Sequence, residues 1–560
     1  LKNKKESDFL KGSDIFFDTS LMWKSLRLHL PLILIVTALL LLAFFLRIYR
    51  LESLPIGLYP DEAANGVDAL HAIETHHFEL FYPANFGREG LFINLQALSL
   101  WLFGNTMVAL KLCSVLFGTF TVLGLFLLGR ELFHRTSAGL SAAFMIATSY
   151  WAINFSRIGF RAIMTSFLLA FAFFFFFRGL RTQKKTDFLI SGLIFGLGLH
   201  TYIAFRVAPL ILILLLPALM LSYEHFLRRF WKHGLTFILG AFIAAAPMLY
   251  HFFVSHPEDF ESRSLHISVF SPDVNHGNLP ETLTRTFATS LIKYNFLGDQ
   301  NWRHNYPPYP ILDPIVGTLF LTGFFILFFQ LFQLLYRRFR HNDRDFRLVI
   351  NVFLFGSFFS MLVPEFLTDE GLPHALRSIG TQMPVFLFAT VPVLWILKKA
   401  KNSAAGLRIA LFSLLLITFS ASACFNIAKY FVLFAQDPKS GESFNENYTN
   451  MARYFLSLPD QVHKYYLIDS NGNKDRFNLP VAGMPVYFFT YHRVKNFEII
   501  SSLETALLRP GVYVMTHFDQ EFAKKIEQQY PGSSTEHIDM NGPERSGGDF
   551  NVIIIPDTKY

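Results

Sequence analysis

The sequence predicts a mainly α-helical fold, a polytopic transmembrane helical bundle that carries a small C-terminal α/β domain. Three observations predict it. Hydrophobic residues make up 52% of the 560 positions, 66 of them phenylalanine, against 16% charged, and the mean hydropathy of +0.35 suits a chain in contact with lipid. Apolar runs long enough to cross a bilayer core of about 30 Å, at about 1.5 Å per residue, recur along the chain. Basic residues cluster in alternate loops between those runs, the pattern that orients membrane helices.

The first run spans residues 30–49. It exceeds the apolar core of a signal peptide, lacks a small-residue cleavage site and is one of many, so it reads as a membrane helix. Further spans are expected near 106–128, 137–154, 162–177, 188–204, 207–223, 234–254, 313–335, 347–364, 382–397 and 407–425, about eleven in all. Leu91 to Phe103 is either a short span or a helix lying along the interface. Position 1 is leucine, which points to a truncated or alternatively started chain.

With the N-terminus inside, the clusters at Arg130 and Arg135, at Arg178 to Lys185, at Arg228, Arg229 and Lys232, at Arg337 to Arg347 and at Lys398 to Arg408 all fall on the cytoplasmic side. The expected organisation is a cytoplasmic segment 1–29, a membrane domain 30–425 with an outer loop 50–105, and an extracytoplasmic domain 426–560. A multi-pass protein of the plasma (inner) membrane follows, with membrane lipid as its surroundings. The net charge of +7 is accounted for by these loops, so no nucleic-acid partner is expected. Cys113 and Cys424 both fall inside spans, which removes a disulfide framework or thiolate metal site.

In the tail, Lys464 to Ile468, Val486 to Thr490, Gly511 to Met515 and Asn551 to Ile555 read as strands, and Phe518 to Gln529 as a helix. Asn447-Tyr448-Thr449 fits a glycosylation sequon, a tripeptide common by chance.

The unusual chemistry lies on the outer face. Two adjacent acids, Asp61 and Glu62, follow the first span, at the expected start of a helix Glu62 to Ile73. An acid there either caps the helix and its dipole or does chemistry, and local spacing favours neither. Glu89 lies further along the same loop, beside Arg88. Arginines occupy the tightest outer turns, at Arg157, Arg161 and Arg206, with Trp302-Arg303-His304 and His374-Ala375-Leu376-Arg377 on the same face. Each alone could snorkel to headgroups. Together they suit a lipid-linked phosphate, which a guanidinium binds through a planar fork. A carboxylate beside such a cluster can take a proton from an attacking hydroxyl while cations stabilise a departing phosphate. His71, His76, His77, His200, His266, His304 and His374 show no tight metal-ligand spacing, and His76-His77 reads as a solvated pair.

Four stretches, Tyr59-Pro60-Asp61-Glu62-Ala63, Gly87-Arg88-Glu89-Gly90-Leu91-Phe92, Ser156-Arg157-Ile158-Gly159-Phe160-Arg161 and Gly298-Asp299-Gln300-Asn301-Trp302-Arg303-His304-Asn305, resemble bacterial membrane glycosyltransferases of the GT-C fold. The group is that of protein O-mannosyltransferases and lipid A aminoarabinose transferases, glycosyltransferase family 39 and its relatives. Tyr202 to Arg206 and Pro373 to Arg377 fit more loosely. The resemblance covers roughly residues 30–425. It implies a polyprenyl-phosphate sugar donor, a glycan, lipid or protein acceptor, Asp61 as the catalytic base or essential acid, and Glu89 as the second acid of the loop, which in relatives positions acceptor or metal; Glu62, beside Asp61, is the third catalytic candidate from its place in the loop. It places Arg157, Arg161, Arg206, His374 and Arg377 on the donor phosphate, and Arg88, Trp302, Arg303 and His304 on substrate. Relatives often have proline where this chain has Gly90, so a more mobile loop is expected here.

The function expected is inverting transfer of a sugar to an acceptor on the outer face, the leaving phosphate stabilised by arginines or by a divalent cation whose ligands the sequence does not disclose. The alternative is a transporter or flippase of an anionic lipid or sugar phosphate, against which the spans lack two-half symmetry and the charges gather on one face. A structural or assembly protein leaves the outer charges unexplained.

Overall fold

The computed structural model describes residues 19–84, 87–261, 268–468, 474–475, 478–500, 509–517, 520–540 and 547–556, with side chains described from residue 30 onward except those of Glu261 and Phe522. Most of the expected segment 1–29 and His266 lie outside them.

The chain runs α1 (Thr19–Ile48), α2 (Pro60–Thr75), a ribbon of β1 (Phe81–Tyr82) and β2 (Arg88–Glu89), and α3 (Gly90–Phe103). There follow α4 (Met107–Phe133), α5 (Thr136–Thr148), α6 (Tyr150–Arg157), α7 (Ile163–Thr182), α8 (Lys185–Leu197), α9 (Pro209–Ser222) and α10 (Phe226–Tyr250). A loop holds α11 (Glu258–Glu261), α12 (Pro272–Asn275) and α13 (Leu279–Ile292) before α14 (Pro314–His341), α15 (Arg347–Phe366), α16 (Gln382–Lys401) and α17 (Ala405–Ala428). The tail adds α18 (Pro438–Ser443), α19 (Glu446–Ser457), β3 (Lys464–Leu467), α20 (Met484–Thr490), β4 (Phe497–Ile500), β5 (Gly511–Met515), α21 (Gln520–Gln529), β6 (Ser534–Ile538) and β7 (Phe550–Ile555).

Among the described residues nine helices are long and apolar enough to cross a membrane. The two other expected spans are built from shorter pieces. Residues 137–154 divide into α5 and α6 at Ser149, whose extended backbone interrupts the helix, and the freed Tyr150 N–H donates to Asn426 Oδ1 at 3.0 Å. Residues 188–204 end α8 at Leu197 and continue as two 3₁₀ turns. Leu91 to Phe103 lies in α3, which at 14 residues is shorter than a span.

Where helices touch closely, glycine allows it. On α8 a Cβ at Gly192 would lie 2.1 Å from the Phe237 carbonyl oxygen, and one at Gly196 2.1 Å from that of Ala241; on α10, Gly240 faces the Leu189 carbonyl in the same way. This small-x-x-x-small seam brings the two backbones together without hydrophobic help from water.

The tail forms a five-stranded sheet in the order β4-β3-β5-β7-β6, parallel between β3 and its two neighbours and antiparallel from β5 onward. The expected strands at Lys464 to Ile468, Gly511 to Met515 and Asn551 to Ile555 are present, and α21 occupies the expected helix from Gln520, with residues 518–519 outside the described set. Val486 to Thr490 is a correction, because this aromatic run is helical as α20. Pro485 starts the helix, and burial of Phe488 against Gly66 and Leu110 outweighs its β propensity. The tail is thereby fastened to the outer loop, where the Asn105 side chain donates to the Phe488 carbonyl at 2.7 Å and the Leu58 N–H to Thr449 Oγ1 at 2.9 Å.

Gly196→Leu is expected to force α8 and α10 apart and lower stability by about 2 kcal/mol or more, read as a lower thermal midpoint in detergent. Glycine-seam packing is wrong if the midpoint does not move.

Candidate functional site

The site face is assembled from four loops held by buried polar contacts. α2 starts at Pro60 with Tyr59 before it, and Tyr59 makes no side-chain cap bond. Asp61 and Glu62 occupy the first turn, where the dipole favours acids, and neither is the cap residue. The two carboxylates diverge. Asp61 is half-buried and lines a small cleft together with Asn65, Arg88, Phe160, Arg161, Tyr202 and Leu376. Glu62 faces inward with no exposed surface, accepting from the Gly159 N–H at 2.8 Å and facing Lys111 Nζ at 3.6 Å. Burial pushes its carboxyl pKa up, offset in part by Lys111 and by the Gly159 N–H. Glu62 therefore ties the 158–161 turn to α2, and it does not line the Asp61 cleft.

Arg157 is likewise engaged inside the protein. Its side chain is fully buried, with Nη1 donating to the Leu46 and Arg47 carbonyls at 3.0 Å, Nη2 to the Leu54 carbonyl at 2.8 Å and Nε to Tyr430 Oη at 3.2 Å. It closes the open C-terminal end of α1, a demand every helix end makes, and lines neither cleft. Burial lowers its pKa, with Tyr430 acting in the opposite direction.

Glu89, 2% exposed, stands between two guanidiniums, 2.8 Å from Arg161 Nε and 3.8 Å from Arg206 Nη2. The ribbon pairing Phe81 with Glu89 and Tyr82 with Arg88 aims it there. Two cations share this one carboxylate, so neither has it to itself. Arg206 is also sandwiched between the Phe252 and Phe260 rings, 4.5 and 4.7 Å from their centroids, and donates to the Phe260 carbonyl. Arg88 donates to Asn65 Oδ1 at 2.8 Å and pairs with Asp68.

Gly90 has a packing reason in place of the expected mobility. Its N–H donates to the Leu80 carbonyl at 2.8 Å, and a Cβ there would lie 2.1 Å from the Glu79 carbonyl oxygen. A proline would lose the bond and collide.

A second cleft of about 1,100 Å³ holds Arg206, His374 and Arg377 on walls that are otherwise mainly apolar, such as Val207, Phe270, Val363 and Leu367. It shares Tyr202 and Leu376 with the Asp61 cleft, so the two adjoin. Arg377 donates to Thr368 Oγ1 at 2.7 Å and pairs with Glu370. Beneath its turn lies a buried pair, Lys293 with Glu365, whose other oxygen accepts the His374 N–H at 2.9 Å. Burial lowers the Lys293 pKa, with Glu365 opposing.

Trp302, Arg303 and His304 line neither cleft. Arg303 stacks 4.0 Å over the Tyr59 ring, two residues from Asp61, and Trp302 packs edge-on to Tyr306. His304 is buried, Nδ1 2.9 Å from Asp299 Oδ2, its ring against Phe155 and His374. Asp299, His304 and His374 each bring one potential ligand atom within 4.8 Å of the others. Asp299 already accepts the Ala375 N–H on Oδ2 and the Asn301 N–H on Oδ1. Two imidazole nitrogens and one carboxylate oxygen so placed are a donor set compatible with a divalent cation. His76 and His77 are exposed, as expected of a solvated pair.

Sequence reasoning passed over Lys111, Asn65, Asp68, Lys293 and Glu365. A lysine inside an apolar span was the available signal for Lys111, since charge there demands a partner. The others need distant loops in register before their role exists.

Residues 91–251 match the protein family described as dolichyl-phosphate-mannose-protein mannosyltransferase. No curated protein matches the sequence. Among solved structures, ArnT from Cupriavidus metallidurans in the apo state superposes with a TM-score of 0.51 at 12% identity, over 93% of this chain and 97% of that one. The same protein bound to undecaprenyl phosphate gives 0.51 at 12%, over 95% and 99%. The chain shares the fold of ArnT, with nine helices among the described residues long and apolar enough to cross a membrane.

Arg157→Leu is expected to leave three buried carbonyls without a donor and cost about 3 kcal/mol or more, seen as a lower thermal midpoint or lost expression. An unchanged midpoint with weaker donor binding would return Arg157 to the phosphate.

Proposed function

We propose that the chain transfers a sugar from a polyprenyl-phosphate-linked donor to a glycan, lipid or protein acceptor at the extracytoplasmic face, with inversion. The observation that carries this is the pair of adjoining clefts, one holding a carboxylate and the other arginines on apolar walls, sharing Tyr202 and Leu376. The same fold in a protein that binds undecaprenyl phosphate supports it.

In this mechanism the polyprenyl chain lies along the apolar walls of the larger cleft, and Arg206 and Arg377 face the phosphate. Asp61 accepts the acceptor's hydroxyl proton, the freed oxygen bonds to the anomeric carbon, and the bond from that carbon to the phosphate oxygen breaks with its electron pair leaving on the polyprenyl phosphate. Attack opposite the departing phosphate inverts the centre. Glu89 acts as a positioning residue for Arg161 and Arg206, while Arg88 shapes the acceptor side. Trp302, Arg303 and His304 act by holding Tyr59 and the 372–377 turn. The domain limits 30–425 and 426–560, with the tail outside, complete the proposal.

Transfer of labelled sugar from a panel of polyprenyl-phosphate sugars tests it. Asp61→Asn should lower kcat by about 10²- to 10⁴-fold without changing the thermal midpoint, and equal activity removes Asp61 as the base. Arg377→Ala should raise the donor KM more than it lowers kcat. A chelator should change the rate by less than about twofold, since the arginines here supply the charge; loss of activity restored by a divalent ion would assign a cation to the reaction. No transfer from any donor, with lipid movement across vesicles, would favour a flippase.

A further inference from the structure

Two buried carboxylates hold the turn that presents Arg377. Successive N–H groups of the 372–377 turn donate to them, that of His374 to Glu365 Oε1 at 2.9 Å and that of Ala375 to Asp299 Oδ2 at 2.7 Å. Glu365 lies in the last turn of α15 and Asp299 in the loop between α13 and α14, so the two reach the turn from different parts of the chain. A turn bonded at two consecutive N–H groups has little room to swing, and Leu376 and Arg377, which line the larger cleft, follow immediately.

Glu365 also fixes the far end of the arginine. Its carbonyl accepts from Thr368 Oγ1 at 2.9 Å, and Thr368 Oγ1 in turn accepts from Arg377 Nη1 at 2.7 Å. The backbone that carries Arg377 and the guanidinium itself are thus both referred to one residue. Glu365 lines neither cleft, so it does not touch a ligand there.

Its charge is what calls for a reason. A single backbone N–H needs only a neutral acceptor. A carboxylate in this place has to be dehydrated and matched, here by Lys293, and the side chains of both have no exposed surface. Lys293 Nζ is held in turn by the Ser290 carbonyl at 2.8 Å and lies 4.3 Å from the centre of the Tyr294 ring. A buried pair of this kind is close to neutral for stability when compared with well-packed apolar residues. What the charge adds is a hydrogen bond about twice as strong as a neutral one, at one fixed point of the turn.

We infer that Lys293 and Glu365 are positioning residues for donor binding, the pair holding the 372–377 turn so that Arg377 meets the phosphate, a role that rests on the donor site proposed above. Asp299 belongs also to the group of potential cation ligands, so the test turns on Glu365.

Affinity of the full chain in detergent for undecaprenyl phosphate and for undecaprenol, read by native mass spectrometry, tests it. Removing one partner alone would strand a buried charge, so both are changed together. Lys293→Met with Glu365→Leu takes away the acceptor of the His374 N–H, and should weaken undecaprenyl phosphate about tenfold while moving undecaprenol by less than about twofold. Lys293→Met with Glu365→Gln keeps a neutral acceptor and should recover affinity to within about threefold of the native chain. In an Arg377→Ala background the first pair of changes should cost less than about twofold more, because its effect passes through Arg377. Unchanged phosphate affinity, equal loss for phosphate and alcohol, a full additional loss in the Arg377→Ala background, or unfolding of the first double variant would each overturn the inference. If Arg377→Ala itself leaves undecaprenyl phosphate binding unchanged, the proposed donor site fails and this role with it; if Arg377→Ala weakens binding and the first double variant does not, only the positioning role fails.

Discussion

The geometry of the site face depends on the buried guanidinium of Arg157. It joins the end of α1, the Leu54 carbonyl in the following loop and Tyr430 beyond α17, each more than a hundred residues from it in sequence. Its neighbour Arg47 adds bonds to Ser156 at 3.0 Å and to the Ala147 carbonyl at 3.1 Å. Two buried cations so close are tolerated because backbone carbonyls, which need donors at a helix end, surround them. With this junction in place, Glu62 can reach the Gly159 N–H, and Asp61 is left as the acid at the cleft.

A division of labour follows among side chains of one type. Arg157 and Arg47 are structural, held by carbonyls, whereas Arg161 and Arg206 share a single carboxylate and retain charge at cleft walls. The same division separates Glu62 from Asp61. Adjacent residues of a helix point about 100° apart, and here that turns Asp61 to the cleft and Glu62 inward to Gly159 and Lys111.

The long apolar helices were legible because length and hydropathy report directly on a membrane span. Legibility failed where an element is decided by what it touches. The run 486–490 is aromatic enough for a strand but folds as a helix against Gly66, and 137–154 breaks at Ser149 because Asn426 supplies a partner for the freed N–H. Gly90 reads as a loosened loop until the Glu79 carbonyl beside it is seen. At the site, the types and the face were legible for Asp61, Arg161, Arg206 and Arg377. The engagement of Arg157, Glu62 and His304 elsewhere was not.

The sequence by itself determined a membrane-embedded helical chain with a basic and acidic cluster on one face, because burial of apolar length and placement of charge are properties of local segments. Only the tertiary structure decided which charges are compensated inside the protein and which line a cleft. That distinction is set by distances between loops remote in sequence, and in a low-dielectric setting a few ångströms separate a structural ion pair from a binding group.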